Sequence, residues 1–71
     1  MELEIGDKIR VKDTYYIVEF RGLVGTVSEK PCHIGNGLRP HFIAALFDER
    51  VLGRYRECFS PKDFQVLRKR D

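Results

Sequence analysis

Turn signals cut this chain into short apolar runs, with no long helix between them, and that cadence constrains the fold more than any other feature. The first run, "EIGDKIRVKD", has a period of two. Ile9 and Val11 point one way, and Lys8, Arg10 and Lys12 point the other, as in a half-buried strand. Gly6 supplies backbone freedom just before it, and Asp7 a local hydrogen-bond acceptor. The next stretch, "DTYYIVEFR", alternates poorly. It is too long for a tight hairpin and too hydrophobic for a solvated loop, so it reads as a long connection folding back over the barrel. "GLVGTVSEK" is a second strand, with Gly25 marking a bend or bulge.

"KPCHIGNGLRP" reads as a loop. Pro31 and Pro40 flank it, and Gly35-Asn36-Gly37 suits a hairpin-like reversal. In "HFIAALFDE", the third strand, Ile43, Ala45 and Phe47 share one face and Phe42, Ala44 and Leu46 the other. Both faces are apolar, so this strand is expected to be central or covered on both sides. A turn near Asp48 to Arg50 leads into a fourth strand, "RVLGRYRECF". In "SPKDF", Ser60 caps, Pro61 takes the first helical position and Asp63 closes a capping box around a single 3₁₀ turn. "FQVLRK" closes the fold, with Phe64 and Val66 or Leu67 inward. The expectation is one all-β domain over residues 1–71: a small five-stranded SH3-like barrel with a 3₁₀ turn before the last strand. Residues 68–71 form a frayed tail.

Composition narrows the class. Hydrophobic residues make up 42% of the 71 and charged residues 34%, a globular balance rather than a disordered one. No apolar run approaches the ~20 residues a membrane helix needs. The opening "MELEIGDK" is acidic and mixed, unlike a signal or transit peptide. A soluble cytoplasmic protein is expected. With only Cys32 and Cys58, two reduced thiols are expected, and a regulatory disulfide between them is the alternative.

Enzyme signatures are missing from the pattern: there is no P-loop, no G-x-S-x-G and no HExxH. Cys32, His33, His41 and Cys58 are the right residue types for zinc, but they lack the usual C-x₂₋₄-C spacing. A Cys-His nucleophile pair, Cys32 with His41 or Cys58 with either histidine, has nothing obvious in the sequence to orient the base or build an oxyanion hole. No catalytic activity, metal or cofactor is expected.

Binding remains. The net charge is only +2, yet Arg50 to Arg70 holds seven bases against two acids, while Met1 to Phe20 holds five acids against three bases. A basic third favours an acidic partner. Arg10, Lys12, Arg54 and Arg56 form one patch if the first and fourth strands lie near each other. The alternative is ordinary solvated strand faces. Tyr15, Tyr16 and Phe20 either fill the core or present an interface; Tyr15 is assigned to the surface and Tyr16 is open between the two. The loop from Lys30 to His41 is a third candidate, for an adaptable contact.

The segments "GDKIRVKDTYY", "FRGLVGTVSE", "FIAALFDE" and "RYRECFSPKDFQVL" together resemble the SH3-like electron-transport accessory proteins of oxygenic photosynthesis. Subunit S of the photosynthetic NADH-dehydrogenase-like complex is the most similar, through Asp13 to Tyr16 and Phe20 to Val24. The variable chain of ferredoxin–thioredoxin reductase and subunit IV of photosystem I are similar in the Gly-Asp-Lys-x-Arg-Val opening. The insert "KPCHIGNGLRPH" departs from the shorter loop of subunit S. The resemblance implies a non-catalytic accessory subunit that docks an acidic ferredoxin or steadies a larger electron-transfer complex. It implies a cyanobacterial type of protein, peripheral on the cytoplasmic or stromal face of the thylakoid. Arg10, Lys12, Arg54 and Arg56 would be the docking charges, and Tyr15 and Tyr16 would contact ferredoxin or the parent complex. The rival readings are a nucleic-acid-binding barrel, for which a pI of about 8.7 is modest, and an adaptor for an unrelated protein.

Overall fold

The computed structural model describes residues 3–34, 37–39 and 41–67. Among these residues seven strands run β1 (Lys8–Val11), β2 (Val24–Glu29), β3 (Cys32–Ile34), β4 (Gly37–Arg39), β5 (Ile43–Val51), β6 (Arg54–Phe59) and β7 (Phe64–Val66). Short 3₁₀ turns occupy Val18–Phe20 and Pro61–Asp63. Among the described residues the fold is all-β, without an α-helix. Five strands form one antiparallel sheet in the order β6-β5-β2-β1-β7, and β3 and β4 pair as a separate hairpin. The outermost strands, β6 and β7, are not hydrogen-bonded to each other, so the sheet stays open.

Alternation builds the inner face. Ile9 and Val11 turn inward from β1, Val27 from β2, Ala45 and Phe47 from β5, Phe59 from β6 and Phe64 from β7. Phe20 joins them from the 3₁₀ turn in the first connection, packed edge-on to Phe59 with ring centroids 5.9 Å apart. Each such ring or branched side chain contributes about 1.5–3 kcal/mol when fully buried. The Ser60–Asp63 turn forms as its sequence predicts. The Asp63 carboxylate accepts from the Ser60 amide at 3.2 Å and the Ser60 hydroxyl at 3.0 Å, while the Asp63 amide donates to the Ser60 carbonyl at 2.9 Å. Gly6 takes the positive φ its place before β1 requires, and Asp7 accepts from the Glu4 amide.

Several expectations are corrected. The turn assigned to Asp48–Arg50 lies at Leu52–Gly53, and β5 runs through to Val51. Both Leu52 and Gly53 have positive φ, as a type I′ turn demands. Leucine at the first position hid the signal. Gly25 is not the bend: a Cβ there would stand 2.8 Å from the Phe47 ring and 3.0 Å from the Leu46 carbonyl oxygen. The glycine lets β5 and its phenylalanine approach closely. The bulge falls between Val27 and Glu29 instead.

The segment read as a loop contains the β3–β4 hairpin, with Cys32 opposite Arg39. The Gly35-Asn36 reversal, Pro40 and the 68–71 tail lie outside the described residues. Cys32 and Cys58, expected as free thiols, are joined as a disulfide spanning 26 positions, with Cα atoms 6.1 Å apart. The second apolar face of β5 is therefore partly covered from within the chain. Ala44 is buried and Phe42 half-buried, while Leu46 stays exposed.

Candidate docking surface

The first connection divides its two tyrosines, and it is Tyr15 that turns inward. Tyr15, assigned to the surface, is 3% exposed, and Tyr16 is 77% exposed. The Tyr15 ring meets Phe59 at 4.9 Å between centroids and Phe20 at 6.1 Å. Its hydroxyl donates to Glu57 at 3.1 Å, and its carbonyl accepts from the Arg21 guanidinium at 2.6 Å. Burial, and then the Glu57 carboxylate, hold the Tyr15 hydroxyl pKa well above the ordinary tyrosine value. Tyr15 is thus a pin that fixes the connection. Tyr16, tilted against it at 5.0 Å, and Val18 face solvent from that fixed backbone.

Strand register decides where the basic residues stand. β1 and β6 are separated by β2 and β5 in the sheet, yet both send bases to its outer face. Arg56, Leu46, Thr26 and Lys8 are successive cross-strand neighbours from β6 to β1. The Lys8 ammonium donates to the Thr26 hydroxyl at 2.7 Å along that row. In the adjacent row Arg10 lies between Val24 and Gln65. Val24 and Leu46 are half exposed, so this face is apolar in the middle and basic around it. Lys12 follows at the end of β1; its backbone amide donates to the Asp63 carbonyl while its side chain is exposed.

Arg54 and Arg56 do not act together. The register shift between Leu46 and Val51 places Arg54 opposite the buried Val51, on the inner side. There its guanidinium lies 5.9 Å from the Phe20 ring centre and 3.1 Å from Glu57. Arg56 stays on the outer side, held by Glu29 at 2.5 Å and the His33 carbonyl at 2.9 Å. The arginine hydrogen bond draws the Glu29 carboxyl below the usual range. The β2 bulge makes this pair: strict alternation from Val27 would turn Glu29 inward, and the extra residue sets it opposite Ala44 on the outer face. Arg10 and Lys12 form no ion pair among the described residues.

Sequence reasoning missed the two acids, Glu29 and Glu57, that occupy the β6 arginines. It also left out Lys8, although the same alternation that selects Arg10 selects Lys8. Among the described residues no group of three His, Cys, Asp or Glu side chains could hold a metal ion. No described helix is long and apolar enough to cross a membrane.

The fold and this face define a small all-β protein with a basic rim around exposed apolar positions on one sheet face. Comparison of the chain with protein-family models, curated proteins and solved structures finds no match.

Proposed function

We propose that the protein is a non-catalytic SH3-like accessory module that docks an acidic, ferredoxin-type protein or steadies an electron-transfer complex, at the cytoplasmic or stromal face of a thylakoid. The strand order β6-β5-β2-β1-β7, the long first connection and the 3₁₀ turn before β7 support the SH3-like reading. The observation that carries the docking reading is the outer face itself, where Lys8 and Arg10 border exposed Val24 and Leu46. Carboxylates of an acidic partner would meet Arg10 and Lys12, which pair with no acid among the described residues. Arg54 and Arg56, already paired with Glu57 and Glu29, contribute less charge to an encounter.

An NMR titration of labelled protein with plant-type ferredoxin tests this at two salt concentrations. Shifts centred on Arg10, Lys12, Val24 and Leu46, weakening as salt rises, are expected. Arg10→Glu should weaken binding about tenfold at low salt by placing like charges together. No shift at low salt would overturn the ferredoxin reading. A second reading, nucleic-acid binding, is favoured by the exposed Tyr16 and Tyr55 rings, the latter with the Arg50 guanidinium 5.4 Å from its centre. Salt-dependent binding of a single-stranded oligonucleotide, lost in Tyr16→Ala, would select it.

A further inference from the structure

Among the described residues, the bonds that tie the β3–β4 hairpin to the outer face of the sheet run through β3. The Cys32 amide donates to the Phe42 carbonyl at 2.8 Å, Arg56 donates to the His33 carbonyl, and the Cys32–Cys58 disulfide joins β3 to β6. The two sulfurs are not equivalent. Cys32 is fully buried, whereas Cys58 is partly exposed. The Arg56 guanidinium lies 3.7 Å from the Cys32 sulfur, while the same nitrogen also serves Glu29.

We propose that Cys32–Cys58 is a redox site for a dithiol reductant, attacked at Cys58, with Arg56 stabilising the departing Cys32 thiolate. A reductant thiolate bonds to the Cys58 sulfur and the intramolecular S–S bond breaks. Its electron pair leaves on Cys32, beside the Arg56 cation. The second thiol of the reductant, once deprotonated, then attacks the mixed disulfide and releases Cys58 as a thiolate, which takes up a proton. The protein gains two electrons, and the reductant becomes a disulfide. A nearby cation lowers a thiol pKa, and a thiol of lower pKa departs faster, so Arg56 favours this direction of attack. Glu29 opposes it by competing for the guanidinium. Cutting the bond leaves β3, among the described residues, on the Cys32–Phe42 backbone bond and on the bonds of His33 to Arg56 and Glu29, so the hairpin loosens while the sheet persists. This inference is independent of which partner docks.

The experiment is native reduction with dithiothreitol, followed by alkylation and intact mass, with hydrogen exchange read on the same samples. After mild oxidation with oxidised glutathione, the protein should carry no alkyl groups until dithiothreitol is added, and then two. Exchange should rise at the β3 amides and not in β1, β2 or β5. Arg56→Gln should slow reduction by at least about threefold, and Glu29→Gln should accelerate it. Two alkylated cysteines after glutathione oxidation would overturn the site. Reduction that needs denaturant, or that opens every strand together, would overturn the selective release. Equal rates in the parent, Arg56→Gln and Glu29→Gln would overturn the role of Arg56. Unchanged exchange in β1, β2 and β5 of the oxidised variants verifies their folding.

Discussion

Two long connections leave the sheet, and they are held in opposite ways. The connection after β1 is held from inside: Tyr15 and Phe20 enter the core, and their rings meet Phe59 and Phe47. The segment after β2 is held from outside, among the described residues by a disulfide, the Cys32–Phe42 backbone bond and bonds from His33 to Arg56 and Glu29. The first arrangement shares the cooperative stability of the core. The second depends on a bond that chemistry can cut and on a partly exposed ion pair, which contributes little by itself. A segment anchored in the core presents its exposed residues rigidly; one anchored by a clip can be released without dissolving the sheet.

Mutations can break or sharpen this contrast. The largest effect is expected from Phe20→Ala, which empties the centre of the aromatic cluster. A loss of about 3–5 kcal/mol should appear in urea unfolding, with every probe moving together. Cys58→Ala comes next. Opening a loop of this length costs about 3 kcal/mol through the unfolded chain, and the β3 amides should lose protection ahead of those in β1. If they did not, the two connections would belong to one cooperative unit. Tyr15→Phe keeps the ring and removes the bond to Glu57, for about 1 kcal/mol at neutral pH. Because Tyr15 holds its proton more tightly folded than unfolded, its contribution is full below about pH 10 and declines as pH rises above that. Tyr15→Phe should therefore flatten the alkaline fall in melting temperature. Tyr16→Ala should change stability by less than about 0.5 kcal/mol, and any larger loss would mean that Tyr16 also pins the connection.

The sequence made the strands legible wherever one face is buried and the other wet. Ile9 and Val11 against Lys8, Arg10 and Lys12 is such a case, and the Ser60–Asp63 turn was equally plain because capping is local chemistry. Register was the hidden quantity. The bulge between Val27 and Glu29 and the shift between Leu46 and Val51 decide which side Glu29 and Arg54 occupy, and neither leaves a residue signature. For the same reason alternation alone would set Arg54 and Arg56, two positions apart, on one face, and the register shift separates them. Tyr15 and Tyr16 are adjacent in a segment without alternation, so nothing local says which ring turns in. Cys32 meets Cys58 only because a hairpin folds back across β5 and β6, a long-range event that spacing cannot report.

That meeting also gives the molecule a covalent ring. The backbone from Cys32 to Cys58, closed by its sulfur bridge, contains β4, the whole of β5, the exposed Leu52–Gly53 reversal and most of β6. A protease that cuts once at that reversal hydrolyses a peptide bond yet liberates no fragment. The two pieces stay in register, still tied through sulfur, and separate as distinct masses only after the bridge is reduced.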